Sequence, residues 1–146
     1  METINPQALG APRGYSNGML ASTGSRMLFI AGQIAWNSQQ VLVSDGFAEQ
    51  FAQALDNVLA VVRAAGGEPE HLAQLTLYVT DKSEYIAELK AVGATYRNRM
   101  GKHFPTMALV EVSGLLEPRA KVEIQGVAAL PGKTEKPERV EEDGAA

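Results

Sequence analysis

FAEQFAQALDNVLAVVRAAGG, residues 47–67, followed by QLTLYV at 74–79, decides the fold class. In the first segment Phe47, Phe51, Leu55, Val58, Leu59 and Val62 recur at the spacing of one helical face. Ser44 or Asp45 is the candidate N-cap, and Gly66-Gly67 supplies the stop. In the second segment Leu75, Leu77 and Val79 fall on one side of an alternating run, the pattern of a strand with one face on a core. A helix that runs straight into such a strand implies a layered domain mixing both elements.

Working outward, Arg26 to Ala31 is an apolar run of strand length that ends at Gly32. A short extended piece lies near Met19-Leu20-Ala21, and a hairpin turning at Thr23-Gly24-Ser25 is expected to join the two. Downstream, Thr80-Asp81 opens a second helix carrying Tyr85, Leu89, Val92 and Tyr96 and ending near Gly101. Two more strands, Thr106 to Val112 and Ala120 to Ala128, are joined by a loop through Leu116-Glu117-Pro118. The expected order is β-β-α-β-α-β-β, an α+β domain whose mixed sheet carries two helices on one face. In Thr106 to Val112 both faces are apolar, with Met107 and Leu109 on one and Ala108, Val110 and Val112 on the other. Two helices cover only one face of a sheet, so the second is expected to be buried by self-association.

With 146 residues, of which 45% are hydrophobic, the chain suits one domain. The expected boundaries are 1–130 for that domain and 131–146 for a disordered acidic tail, because Pro131-Gly132-Lys133 through Ala146 holds almost nothing to bury. Cysteine is absent, which excludes disulfides and thiolate metal sites and fits a cytoplasmic location. No apolar run approaches the ~18 residues of a membrane span. A net charge of -4 argues against a nucleic-acid backbone as partner. Gly14-Tyr15-Ser16-Asn17-Gly18 fits the G-x-S-x-G nucleophile pattern, but Pro12 and its irregular flank deny it the strand and helix that chemistry requires. His71 and His103 lack the spacing of a metal pair, so no metal site is expected.

A more specific signal comes from several segments taken together. They are Ala11-Pro12-Arg13-Gly14-Tyr15-Ser16, Leu28-Phe29-Ile30-Ala31-Gly32-Gln33-Ile34, and Leu55-Asp56-Asn57-Val58 with Ala64-Ala65-Gly66. Phe104-Pro105, Val110-Glu111-Val112 and Lys121-Val122-Glu123-Ile124 complete the set. Together the chain resembles the RidA/YjgF family over nearly its whole length apart from the tail. The resemblance implies a chorismate-mutase-like fold and a homotrimer with three small-molecule clefts at its subunit interfaces. It also implies cofactor-free hydrolysis of imines and enamines. Carried onto this sequence, the cleft residues are Tyr15, Ala31, Gly32, Met107 and Leu109 for substrate binding, with Glu123 as the catalytic residue orienting a water.

Met107 departs from the family pattern. Deaminases of the family place an arginine there, two residues after the proline of the Phe-Pro pair, to grip the substrate carboxylate. A thioether offers an anion no charge-assisted contact. Imine or enamine compounds other than ordinary imino acids are therefore the expected substrates, unless Arg13 or Arg119 takes over the role. The alternative is a non-catalytic trimer that binds a small molecule or a protein. A ribonuclease reading, made for some relatives, fits poorly with an acidic chain. Each site residue also has a plain structural reading: Glu123 as a solvated strand residue, Met107 and Leu109 as packing, Gly32 as a strand end.

Overall fold

The structure, a computed structural model, describes residues 1–133. Its main sheet has four strands: β3 (Arg26–Gln33), β4 (Leu72–Val79), β5 (Thr106–Glu111) and β6 (Val122–Leu130). They lie in the order β3-β6-β4-β5. β6 is antiparallel to both of its neighbours, and β4 is parallel to β5. The sheet is therefore mixed, as expected. β1 (Glu2–Ile4) and β2 (Gly18–Leu20) pair with each other in a separate two-stranded ribbon. This corrects the expected hairpin: the turn at Thr23-Gly24 exists, closed by a bond from the Ser25 N–H to the Ser22 carbonyl, but β2 does not pair with β3.

α1 (Phe47–Ala64) buries Phe47, Gln50, Phe51, Ala54, Leu55, Val58, Leu59 and Val62, the face read from the sequence with one polar addition. That addition, Gln50, is fully buried and fully satisfied. Its amide donates to the Ser44 and Arg119 carbonyls, and its Oε1 accepts from the Lys121 N–H. A buried amide with these bonds made is a tether rather than a penalty, and it ties the loop before β6 to the helix. Asn57, about two turns further along α1, donates to the Ile34 and Trp36 carbonyls and holds the chain as it leaves β3. Neither Ser44 nor Asp45 caps α1. Gly46 is the N-cap, and the Ala48 N–H is satisfied by Glu88 Oε2 from a distant segment.

The residue that makes this bond also marks where the second helix divides in two. α2 (Lys82–Ala87) and α3 (Leu89–Met100) break at Glu88, which sits at φ −105, ψ 18. Apolar spacing runs straight through the break, so the sequence reads as one helix while the backbone turns to bring the Glu88 carboxylate onto the start of α1. The domain thus carries three helices, not two. α1 packs on β3 and β6, and α3 packs against α1. Phe47 and Tyr85 meet edge to face with centroids 6.1 Å apart, and Tyr96 stacks on Phe104 at 5.5 Å. Between sheet and helices lies the core, including Leu55, Leu72, Leu75, Val79, Val122 and Ile124.

The opposite face of the sheet has no helix on it. On its outer strands it presents Met27 at 50% exposure, Phe29 at 77% and Val110 at 41%. Between them stand Thr76, Gln74 and Gln125. The doubly apolar character expected of β5 therefore holds at the edges of the sheet, while the centre of the open face is mixed, with Val127 between Phe29 and Gln74. Close packing of β6 on β4 requires a glycine at 126, where an added Cβ would lie 2.9 Å from the Gln74 carbonyl oxygen. Among the described residues no helix is long and apolar enough to cross a membrane. The tail expected at 131–146 falls, from 134 onward, outside the described residues.

Candidate functional site

Strand register decides which candidate residues can meet. Met107 stands opposite Leu75, and Leu109 opposite Leu77, both of which point into the core. Glu123 stands opposite Tyr78, one residue out of phase with them. Because side chains alternate across a strand, Met107 and Leu109 project to the helix side and Glu123 to the open side.

On the helix side a cavity of about 420 Å³ opens between the sheet, α2, α3 and the N-terminal arm. Its buried walls are Phe51, Leu77, Val92 and Tyr96, with Met107 and Leu109 partly buried beside them. Tyr15, 42% exposed, lines it together with the exposed Arg13 and Arg97. Tyr15 arrives there because Ser16 bridges to Thr106 at the free edge of β5. The Ser16 N–H donates to the Pro105 carbonyl, and its buried hydroxyl donates to Phe104. Ser16 is thus an anchor of the arm, which removes the nucleophile reading on geometric as well as sequence grounds. Burial pushes the Tyr96 phenol well above its ordinary pKa, and its hydroxyl donates to the His103 carbonyl at 2.7 Å. It remains a neutral structural donor. Among the described residues no carboxylate or amine lines the cavity.

Ala31, Gly32 and Glu123 form a second group on the open side. A Cβ at Gly32 would lie 2.8 Å from Glu123 Cδ and 2.9 Å from its Oε1. The glycine therefore leaves the space in which the carboxylate rests. Six candidates thus fall into two groups of three on opposite faces of one sheet. Neither group is a complete site in one chain: one has apolar walls and exposed arginines but, among the described residues, no carboxylate, the other a carboxylate without walls.

Arg119 is not available to the cavity. Its guanidinium is paired with Asp45 at 2.6 Å, and that bond pushes its pKa further up. Arg13 does line the cavity, as does Arg97, which the sequence reading did not single out. A signal for Arg97 exists in Gly93, a glycine inside a helix one turn earlier. Such a glycine disfavours the helix by ~1 kcal/mol relative to alanine and so marks a place where bare backbone is needed. Both histidines lie against another cavity, of about 570 Å³. The His71 ring accepts from the Glu68 N–H, and His103 Nε2 donates to the Leu72 carbonyl. Among the described residues no group of three His, Cys, Asp or Glu is placed to hold a metal ion.

Fold and site together define a small α+β domain with a helix-side apolar cavity and a carboxylate on the open face of the same sheet. The sequence pattern of the family described as Endoribonuclease L-PSP matches residues 5–130. The chain belongs to this family, the RidA/YjgF family. It is 32% identical over 123 residues to the human 2-iminobutanoate/2-iminopropanoate deaminase, covering 84% of each chain. Against the Escherichia coli K12 protein of the same name it is 34% identical over 105 residues, 70% of this chain and 78% of that one. Among solved structures, the Rid-family protein YyfB from Yersinia pestis superposes with a TM-score of 0.77 at 31% identity, covering 88% of this chain and 98% of that one.

Proposed function

We propose that this protein is a cytoplasmic homotrimer that hydrolyses imine or enamine compounds other than ordinary 2-imino acids, in clefts completed between subunits and with no cofactor. The observation that carries the reading is the division of the six residues between two faces. A cleft that uses Tyr15, Met107 and Leu109 of one copy needs Glu123, Gly32 and Ala31 from another. The exposed Met27, Phe29 and Val110 on the open face are further support, because apolar surface of this kind is stabilised by a second copy.

In this reading the helix-side cavity holds the apolar body of the substrate. The neighbouring Glu123 accepts a proton from a water as that water's oxygen bonds to the imine carbon. The proton on Glu123 passes to nitrogen to give a carbinolamine, whose hydroxyl then gives up its proton, through the same carboxylate, to nitrogen as the C–N bond breaks, leaving a carbonyl compound and ammonia. Holding and orienting account for most of the rate, so no cofactor is needed. An endoribonuclease activity, as in the family's description, fits this chain poorly, since a net charge of -4 has little to offer a phosphate backbone. A non-catalytic binding trimer is the second reading, favoured by the lack, among the described residues, of any carboxylate or amine lining the cavity.

Two experiments test the proposal. Native mass spectrometry of the whole chain and of one ending at Pro131 is expected to give a trimer in both cases, and a monomer would overturn the interfacial cleft. Met107→Arg is expected to raise clearance of 2-iminopropanoate, generated by an amino-acid oxidase, by about tenfold or more, the effect of one charge-assisted bond of ~1.5 kcal/mol or more. Efficient clearance by the wild type would show that the methionine does not exclude ordinary imino acids.

A further inference from the structure

The rim of the helix-side cavity carries two cations that form no ion pair among the described residues. Three ion pairs are present among the described residues: Arg99 with Asp56, Arg119 with Asp45, and Lys121 with Glu84. Arg13 and Arg97 are in none of them, although both line the cavity.

Arg97 is placed there by its own helix. Gly93 precedes it by one turn on α3, and an added Cβ at Gly93 would lie 3.2 Å from Arg97 Nη1 and 3.9 Å from Cζ and Nη2. The guanidinium therefore lies back over bare backbone at the cavity wall, although the residue remains exposed. Beneath it the walls are Val92, Tyr96, Phe51 and Leu77, all buried and apolar apart from a phenol already spent on a carbonyl. A guanidinium fork at the lip of a low-dielectric pocket suits a planar carboxylate, which it can bind through two parallel bonds. A second negative charge would have to be desolvated against apolar walls, so a monoanion fits best.

We propose that Arg97, with Arg13 lining the same cavity, selects ligands that carry a single carboxylate separated from the reacting carbon by an apolar or aromatic body. This rests on the reading of the cavity as the substrate site and specifies its substrate class. The anion stays at the exposed rim while the body occupies the buried floor. A 2-imino acid, whose carboxylate adjoins the reacting carbon, has no such reach, so the inference accords with poor turnover of those compounds.

The test uses a non-reacting isosteric pair, 3-phenylpropanoate and 3-phenylpropanamide, titrated into the intact protein and followed by NMR shifts of residues lining the cavity. The acid is expected to bind about tenfold more tightly than the amide. Arg97→Gln should bring the acid down to the level of the amide, leaving the amide's affinity and the thermal midpoint unchanged. Arg13→Gln should have a smaller effect in the same direction. Equal binding of acid and amide to the wild type would overturn the role of Arg97 while leaving the cavity as a ligand site. A preference that survives Arg97→Gln would overturn it as well. Failure of both compounds to perturb the cavity would remove the ligand site itself, and the inference with it.

Discussion

Glu123→Gln is expected to lower turnover of an imine substrate by roughly 10²- to 10⁴-fold, the range of a positioned general acid or base, without disturbing assembly. Glutamine matches glutamate in shape, so the fit over Gly32, where Glu123 Cδ lies 2.8 Å from the site of a would-be Cβ, is kept. Backbone pairing of residue 123 with Tyr78 is likewise unaffected. What is lost is a group able to take a proton from water. Steady-state rates on a bulky imine, together with native mass spectrometry of the same sample, separate the chemical effect from a structural one. Unchanged turnover would remove Glu123 from the mechanism, and a trimer that turns over no imine at all would favour the binding reading.

Leu55→Ala should produce the largest loss of stability. Leu55 is 0% exposed and sits on α1, the helix that packs on β3 and β6. Truncating a fully buried leucine costs about 2–5 kcal/mol, the lost transfer energy plus a cavity that rigid neighbours do not fill. Those neighbours belong to a core of close-packed apolar side chains anchored in a hydrogen-bonded sheet, so little collapse is expected. For a chain of this size the thermal midpoint should fall on the order of 10 °C. Denaturant unfolding gives the free energy directly, and a loss below ~1 kcal/mol would mean that α1 is not the centre of the core.

How far each feature could be read from the chain follows from how local its cause is. α1 was legible because Phe47, Phe51, Leu55, Val58, Leu59 and Val62 repeat at the helical period and Gly66 closes the run with φ +85. β4 was legible from its alternation. The break at Glu88 was not, because Tyr85, Leu89, Val92 and Tyr96 keep helical spacing across it. Its partner, the Ala48 N–H, lies 40 positions away. The pairing of β2 with β1 rather than β3 was hidden for the same reason: a short strand's composition does not name its neighbour.

The amino-acid sequence by itself determined the family, the α+β fold class, the identities of the six candidate residues and the methionine at 107. Periodicity within each strand is written in consecutive residues, so which side chains share a face of β5 or of β6 could be read directly. Only the tertiary structure decided how the faces of different strands align. Register across β5, β4 and β6 places Met107 with Leu75 and Glu123 with Tyr78. It thereby puts the walls of the cavity and the carboxylate on opposite sides of the sheet. The pairing of Arg119 with Asp45, 74 positions apart, and the folding of Arg97 over Gly93 were settled at the same level. Charges far apart in the chain find partners through packing, and a guanidinium's direction depends on the space its neighbours leave, neither of which local spacing encodes.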